Sequence, residues 1–419
     1  MADILKDIAT AYGVGSYPPL NQSYLYAIAD HLGVDTTTST DLMADILTEV
    51  GGDPSTSTDY LQDIVLALGG TPVNGNYMEG WLAVAGGAGS APVNTVLPVV
   101  TGVPIQGETF TTTDGTWTGT APITFTYQWY NSNGLLSGET ANTYVAQSTD
   151  VGVEVSCVVT ATNAVGSDIA GSNSIYIYDT DYYAIYDGYL GTPCSQGQSI
   201  LQNELMIALK AAGVWAKLDY LNVFATDGDE GFSTINWVTN TDTTSLGAFV
   251  TFTTNQGWTF PNDEYEFIDT GFQVDSGTNY QQDNASRYYF PFAFGASGGV
   301  LDCLNDGNGD NNRMEIGNFD YQTINTAIFA DAPLNISSTV NAKSIHRQNS
   351  SSIRAFNRFT STGQRVQNSQ PLLAYTQIIG ADNASVGSDN TVAGYALGAS
   401  MVNENTDFVT AFDNYLSSL

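Results

Sequence analysis

One stretch narrows the folds open to this chain more than any other: TFTYQWYNSNG, residues 124–134. Phe125, Tyr127 and Trp129 alternate with Thr126 and Gln128, so an extended backbone carries three aromatic rings on one face and polar groups on the other. Asn131 to Gly134 supplies residues that tolerate positive φ, and the chain turns back there. Val153, Val155, Cys157, Val159 and Ala161 repeat the two-residue period further on. The expectation is a mainly β protein of antiparallel strands with one buried face.

At 419 residues the chain exceeds one ordinary core, and two to four domains are expected. Ten Lys plus Arg against 43 Asp plus Glu leave a formal charge of -33. Such a field repels nucleic acid and anionic membrane, and serves solubility at high density or in salty water. MADILKDIATAYG has neither the basic region nor the continuous apolar region of a secretion signal, and no run of about eighteen apolar residues follows, so no membrane insertion is expected. Cys157, Cys194 and Cys303 are odd in number and far apart, which suggests neither a disulfide framework nor a thiolate metal site. They read as small buried apolar residues in a reduced compartment.

Residues 1–90 form a repeat. Leu5, Leu25, Leu42, Leu61 and Met78 are each followed, three or four residues on, by Ile8, Ile28, Ile46, Ile64 and Trp81, and eight or nine residues on by a glycine. Each unit reads as a short amphipathic helix that glycine ends in a left-handed conformation. Ser23, Thr40 and Thr58 stand as capping residues. Helices this short must bury their Leu/Ile stripe against each other or against a partner, as a self-contained bundle or as a docking and oligomerisation segment.

GGAGSAPVNTVLP is a linker by composition, and residues 91–178 follow as strand, turn, strand. A Trp on one strand and a Cys about 28 residues later have the spacing of an immunoglobulin-like sandwich. GTWTG, PITFTYQWY, STDVG and VTATNAVGS together resemble the Ig-like modules of bacteriophage structural proteins and bacterial surface proteins. No second Cys is offered by the earlier strand around Phe110 and Thr112, so Trp129 is expected to pack on an unbridged Cys157. Residues 179–419 carry a second resemblance. LQNELMIALKAAGVWAKLDYLNVFATDGDEGFSTINW, EFIDTGF and AGYALGASMVNENTDFVTAFDNYLSSL are similar to a lectin-like, concanavalin-type jelly roll found in phage and prophage virion proteins. That resemblance implies a helix first, strands in two antiparallel sheets, and a helix last. Leu201 to Leu218 and Thr406 to Leu419 show helical spacing.

Several groups of residues carry candidate chemistry. Glu264, Glu266 and Asp269 imitate the acid pair of jelly-roll glycosidases, where two carboxylates flank the scissile bond. In the resembled family the same stretch is a structural strand. Ser297 in GASGG matches a nucleophile elbow by letters alone, and with two His in the chain a His-centred triad is not expected. Asp306, Asn308, Asp310 and Asn312 alternate like the start of a calcium loop, but Gly317 stands where the bidentate Glu belongs; a polar hairpin tip explains the same letters. Lys343, Arg347, Arg354 and Arg358 lie in an acid-free stretch, suited either to an anionic partner or to balancing neighbouring carboxylates. Six tyrosines between Tyr176 and Tyr189 read as a seam between domains or subunits.

Together these features predict a non-enzymatic bacteriophage virion structural protein, an appendage, fibre or tail-associated protein assembled in the host cytoplasm. The helical repeats are expected to bind other virion proteins, with homo-oligomerisation. The jelly roll is expected to meet host surface glycan. No cofactor is expected, calcium at Asp306–Asn312 aside. The alternatives are a capsid decoration protein and a glycan-cleaving enzyme on the jelly roll.

Overall fold

The computed structural model describes residues 89–261, 266–281, 283–293, 299–304, 314–316, 342–349, 352–357, 360–366, 376–379 and 390–419. The helical repeats expected over 1–90 lie outside these residues, apart from the last two positions. Among the described residues the chain is mainly β, with five sheets and few helices.

The first group of strands is β1 (Val93–Val96), β2 (Val100–Thr101), β3 (Thr109–Thr112), β4 (Thr116–Thr118), β5 (Thr124–Asn131), β6 (Gly134–Leu135), β7 (Thr143–Val145), β8 (Glu154–Thr162), β9 (Ser167–Gly171) and β10 (Ile175–Tyr176). The main sheet runs β10-β8-β5-β6, with β9 also on β8, and the smaller sheets are β2-β3-β7 and β1-β4. Strand β5 pairs antiparallel with β8 along its whole length, which sets Trp129 opposite Cys157 and Tyr127 opposite Val159. Trp129, Cys157, Val155 and Phe110 are fully buried and share one cluster with Tyr144. The aromatic alternation read from the sequence thus faces inward, and its burial deepens towards Trp129, whose ring stacks on Tyr144 at 5.4 Å. Cys157 is a free thiol.

Two helices lead into the second group: α1 (Thr180–Gly188), capped by Asp179, and α2 (Gln196–Ala211), capped by Ser195. Helix α2 starts five residues before the apolar period expected from Leu201, and it ends at 211 instead of 218. Its first turn is polar, with Gln198 and Ser199 buried, so no apolar stripe marked it. Gly213, at φ 70°, breaks the run that Val214 and Trp215 continue by letters. The strands that follow are β11 (Leu218–Val223), β12 (Ser245–Leu246), β13 (Thr251–Thr253), β14 (Gly257–Thr259), β15 (Ile268–Gln273), β16 (Ala285–Ala293), β17 (Gly299–Leu304), β18 (Met314–Ile316), β19 (Lys343–Asn349), β20 (Ser352–Asn357), β21 (Thr360–Val366), β22 (Thr376–Ile379) and β23 (Thr391–Gly398). A one-turn helix, α3 (Glu230–Ser233), follows β11, and α4 (Asn405–Ser418) closes the chain.

An eight-stranded sheet runs β13-β14-β23-β16-β19-β20-β21, with β11 beside β23, and a five-stranded sheet runs β12-β15-β22-β17-β18. One face of the large sheet packs on α2 and α4 through Leu221, Val223, Tyr288, Phe290, Phe408 and Phe412. The other face meets the smaller sheet across Tyr220, Trp258, Tyr289, Tyr395, Ile268 and Ile379. Outside β11 the segment 234–237 substitutes for a further strand. Asn236 Oδ1 accepts from Leu221 N, Trp237 N donates to Leu221 O, and Asn222 Nδ2 donates to the carbonyls of Thr234 and Ile235.

The two groups meet at the tyrosines. Tyr178 bridges to Ile105, donates its N–H to Pro104 O, and shares its hydroxyl with Ser199 of α2 at 2.8 Å. The rings of Tyr176, Tyr182, Tyr183 and Tyr186 lie 5.0–6.0 Å from its own. Lys210 of α2 reaches Asp179 at 2.6 Å and Asp181 at 2.7 Å beside the same seam.

Candidate functional site

The rim of the C-terminal sheets, where β12 lies along β15, combines an exposed ring with carboxylates. Ser245 pairs with Asp269 and Leu246 with Ile268, and Gly247 N continues the ladder to Phe267 O at 2.9 Å. The loop then folds over Glu266. This carboxylate is 7% exposed, and its Oε2 accepts from Phe249 N at 2.8 Å. Glycine is needed at 247 because a Cβ there would collide with Glu266 Oε2. The backbone leading into Phe249 is therefore held, while its phenyl ring stands 70% exposed with Leu246 nearby at 40%. A buried carboxylate that binds one backbone N–H fixes a loop at the cost of desolvating a charge.

Polar groups gather where the segment before β12 and strand β15 adjoin β11. Asp242 accepts from Thr234 Oγ1 and from Thr244 N, both at 3.0 Å, and Asp269 Oδ1 accepts from Gly271 N at 2.9 Å. Tyr220 and Asn222, two apart on β11, share the face that meets the smaller sheet, and both are fully buried. Burial pushes the Tyr220 phenol well above its usual value, hydrogen bonding with Thr244 and Asn222 pulls the other way, and the charges of Asp242 and Asp269 add to the rise. The phenol is a proton donor at any ordinary pH. An exposed ring and carboxylate acceptors are groups that a polyhydroxylated ligand engages, through its C–H face and its hydroxyls.

The sequence-derived candidates fall in different places. Glu266 braces the loop, Asp269 lies on β15, and Glu264 is outside the described residues, as are Ser297, Arg358 and the four residues Asp306, Asn308, Asp310 and Asn312. Among the described residues no cluster of His, Cys, Asp and Glu is set to hold a metal ion. Lys343 and Arg347 are fully buried on β19, together with Arg287 on β16, so they face the interior of the sheets and not an outside partner. Register sets Lys343 opposite Tyr289 and Arg347 opposite Ala285, while Arg354 pairs with His346. Burial lowers the Lys343 ammonium to about 8 and lowers Arg347 as well. His346 takes part in a serine relay that letters alone did not reveal: Nδ1 lies 2.6 Å from Ser286 Oγ, Nε2 lies 2.9 Å from Ser344 Oγ, and Ser344 donates to Asn405 Oδ1. All four side chains are buried, which suits a structural link between β16, β19 and α4 and leaves no path for a substrate. Phe249 and Asp242 were missed by sequence reasoning, since GAFV and NTDTT carry no signal that separates an exposed ring from a core one.

No family model and no curated protein matches the sequence. Among solved structures, domain 4 of AbnA, a GH43 extracellular arabinanase from Geobacillus stearothermophilus in complex with arabinotriose, is similar at TM-score 0.34 and 10% identity, over 46% of this chain and 98% of that one. The sialidase of Trypanosoma rangeli is similar at TM-score 0.33 and 9% identity, over 76% of this chain and 53% of that one. The same sialidase in complex with 2,3-difluoro-KDN gives TM-score 0.29. None of these three carries a phage or virion name, against the expectation of a bacteriophage virion protein for host attachment; an arabinanase and a sialidase are named instead, which accords with the alternative of a glycan-cleaving enzyme.

Proposed function

We propose that the C-terminal sheets bind a glycan at the β12–β15 rim. The phenyl of Phe249 takes the C–H face of a sugar ring, and Asp242 and Asp269 accept from its hydroxyls. Support comes chiefly from Phe249, an exposed ring on a loop that a buried carboxylate holds in place; a preorganised aromatic loses little freedom on binding. Glu266 is committed to the N–H of Phe249, which favours binding over cleavage at that acid. In this reading the two-sheet unit is a concanavalin-type jelly roll with flanking helices, and the strands of 91–178 form an Ig-like spacer. Calorimetric titration of the full chain with the oligosaccharides selected on a glycan array tests it. Phe249→Ala should weaken binding about tenfold or more with unchanged thermal stability. Equal affinity in the variant, or no glycan selected at all, would overturn the proposal.

A further inference from the structure

The edge of the first strand group carries an aliphatic strip that the core does not use. Residues 91–100 run beside 166–173: a Cβ on Gly166 would lie 3.3 Å from Ala91 Cβ, and Val100 N donates to Asn173 Oδ1 at 2.8 Å. Along this edge Val165 is 51% exposed, Val93 55%, Ile169 65%, Val96 57% and Leu97 61%. Scattered exposed aliphatics are ordinary, but five of them on one pair of adjacent segments concentrate apolar surface of the kind that marks an interface.

The chain itself supplies a covering for it. Eighty-eight residues precede the described part, with their Leu/Ile stripes at helical spacing, and they join it at Gly89. That glycine touches the head of the strip, since a Cβ on it would lie 2.7 Å from Val165 Cγ2. We propose that the amphipathic repeats of residues 1–88 dock through their apolar stripe on the strip from Val165 to Leu97 of the same chain. Short units that cannot bury a stripe alone gain a surface, and the strip loses its exposure. Attachment at Gly89 makes the contact intramolecular, with an effective concentration in the millimolar range. A second copy of the chain has no such advantage and brings a further -33 of like charge.

The test is photo-cross-linking of the full chain with benzoylphenylalanine placed at Ile169, at Val96 and, as a control on the far side, at Leu135. Leu135 is 57% exposed on β6, away from the strip. The expected result is a product of unchanged chain mass in which Ile169 and Val96 are joined to peptides from 1–88, at least about tenfold more abundant than from Leu135. Products of doubled mass joining strip to strip would assign the surface to a second copy and overturn the proposal. Absence of any link to 1–88, or equal linking from Leu135, would also overturn it. None of these outcomes depends on glycan binding.

Discussion

Buried charge is where single residues have the largest expected effects. Asp150 is fully buried and accepts from Asn131 Nδ2 at 2.9 Å, Tyr144 Oη at 2.5 Å and Gln147 N at 2.8 Å, tying the end of β5, strand β7 and the segment after it to one carboxylate. Asp150→Ala leaves those donors without a partner, and chemical denaturation should show a loss of about 3 kcal/mol. Lys343 offers a pH signature. Burial lowers its folded pKa from 10.5 to about 8, so between these values the unfolded chain holds the proton and the folded chain does not. Stability contributed through this residue therefore rises as pH climbs from about 8 towards 10.5, by up to about 3 kcal/mol. Buried phenols such as Tyr144, raised by burial and by Asp150, act with the opposite sign once pH passes 10. The difference between the wild type and Lys343→Met, followed by denaturation from pH 8 to 10, isolates the lysine: the wild type should gain on the variant over that range. Trp129 opposite Cys157 was legible because a two-residue period specifies a face. Lys343 was not, since a basic run reads as surface until a second sheet is known to cover it.

Helix α4 shows how closely elements approach. Gly394 of β23 has no room for a side chain, because a Cβ there would collide with the Phe412 ring, which itself stacks on Phe290 at 3.9 Å. Gly394→Val should push α4 off the sheet, lower stability by about 3 kcal/mol or more, and raise hydrogen exchange across 405–418. The apolar period of α4 was readable over most of its length, since Phe408 and Phe412 recur at helical spacing on a buried face. Helix α2 was harder. Its buried row is Gln198, Gln202 and Asn203, satisfied by Thr226, Tyr415, Tyr182 and Tyr176. A polar inner face gives no hydrophobic signal, so only Leu205, Leu209 and their neighbours announced the helix, and its start was placed five residues late. The β12–β15 rim was invisible for a related reason: the exposure of Phe249 depends on where Glu266 pulls the loop, a contact across 17 residues.

At the scale of the molecule, the tyrosine seam decides whether the two strand groups behave as one body. Tyr178 joins the bridge to Ile105, the hydroxyl contact to Ser199 and the stack of neighbouring rings, so loading on one side is felt on the other. Tyr178→Ala should split calorimetric unfolding of the full chain into two transitions several degrees apart, where the wild type shows the corresponding parts melting together. The crowding of tyrosines between Tyr176 and Tyr189 was readable as a seam; which surfaces it joined required the sheets to be in place. The flank of β11 has a consequence for concentrated solutions. Because Asn236 Oδ1 and Trp237 N take the outward N–H and carbonyl of Leu221, while Asn222 Nδ2 ties the carbonyls of Thr234 and Ile235 to the same flank, this stretch of the strand offers no template to a passing extended chain. Removing the Asn236 amide would leave the Leu221 N–H as an open donor on the rim of a chain otherwise kept apart by its own charge.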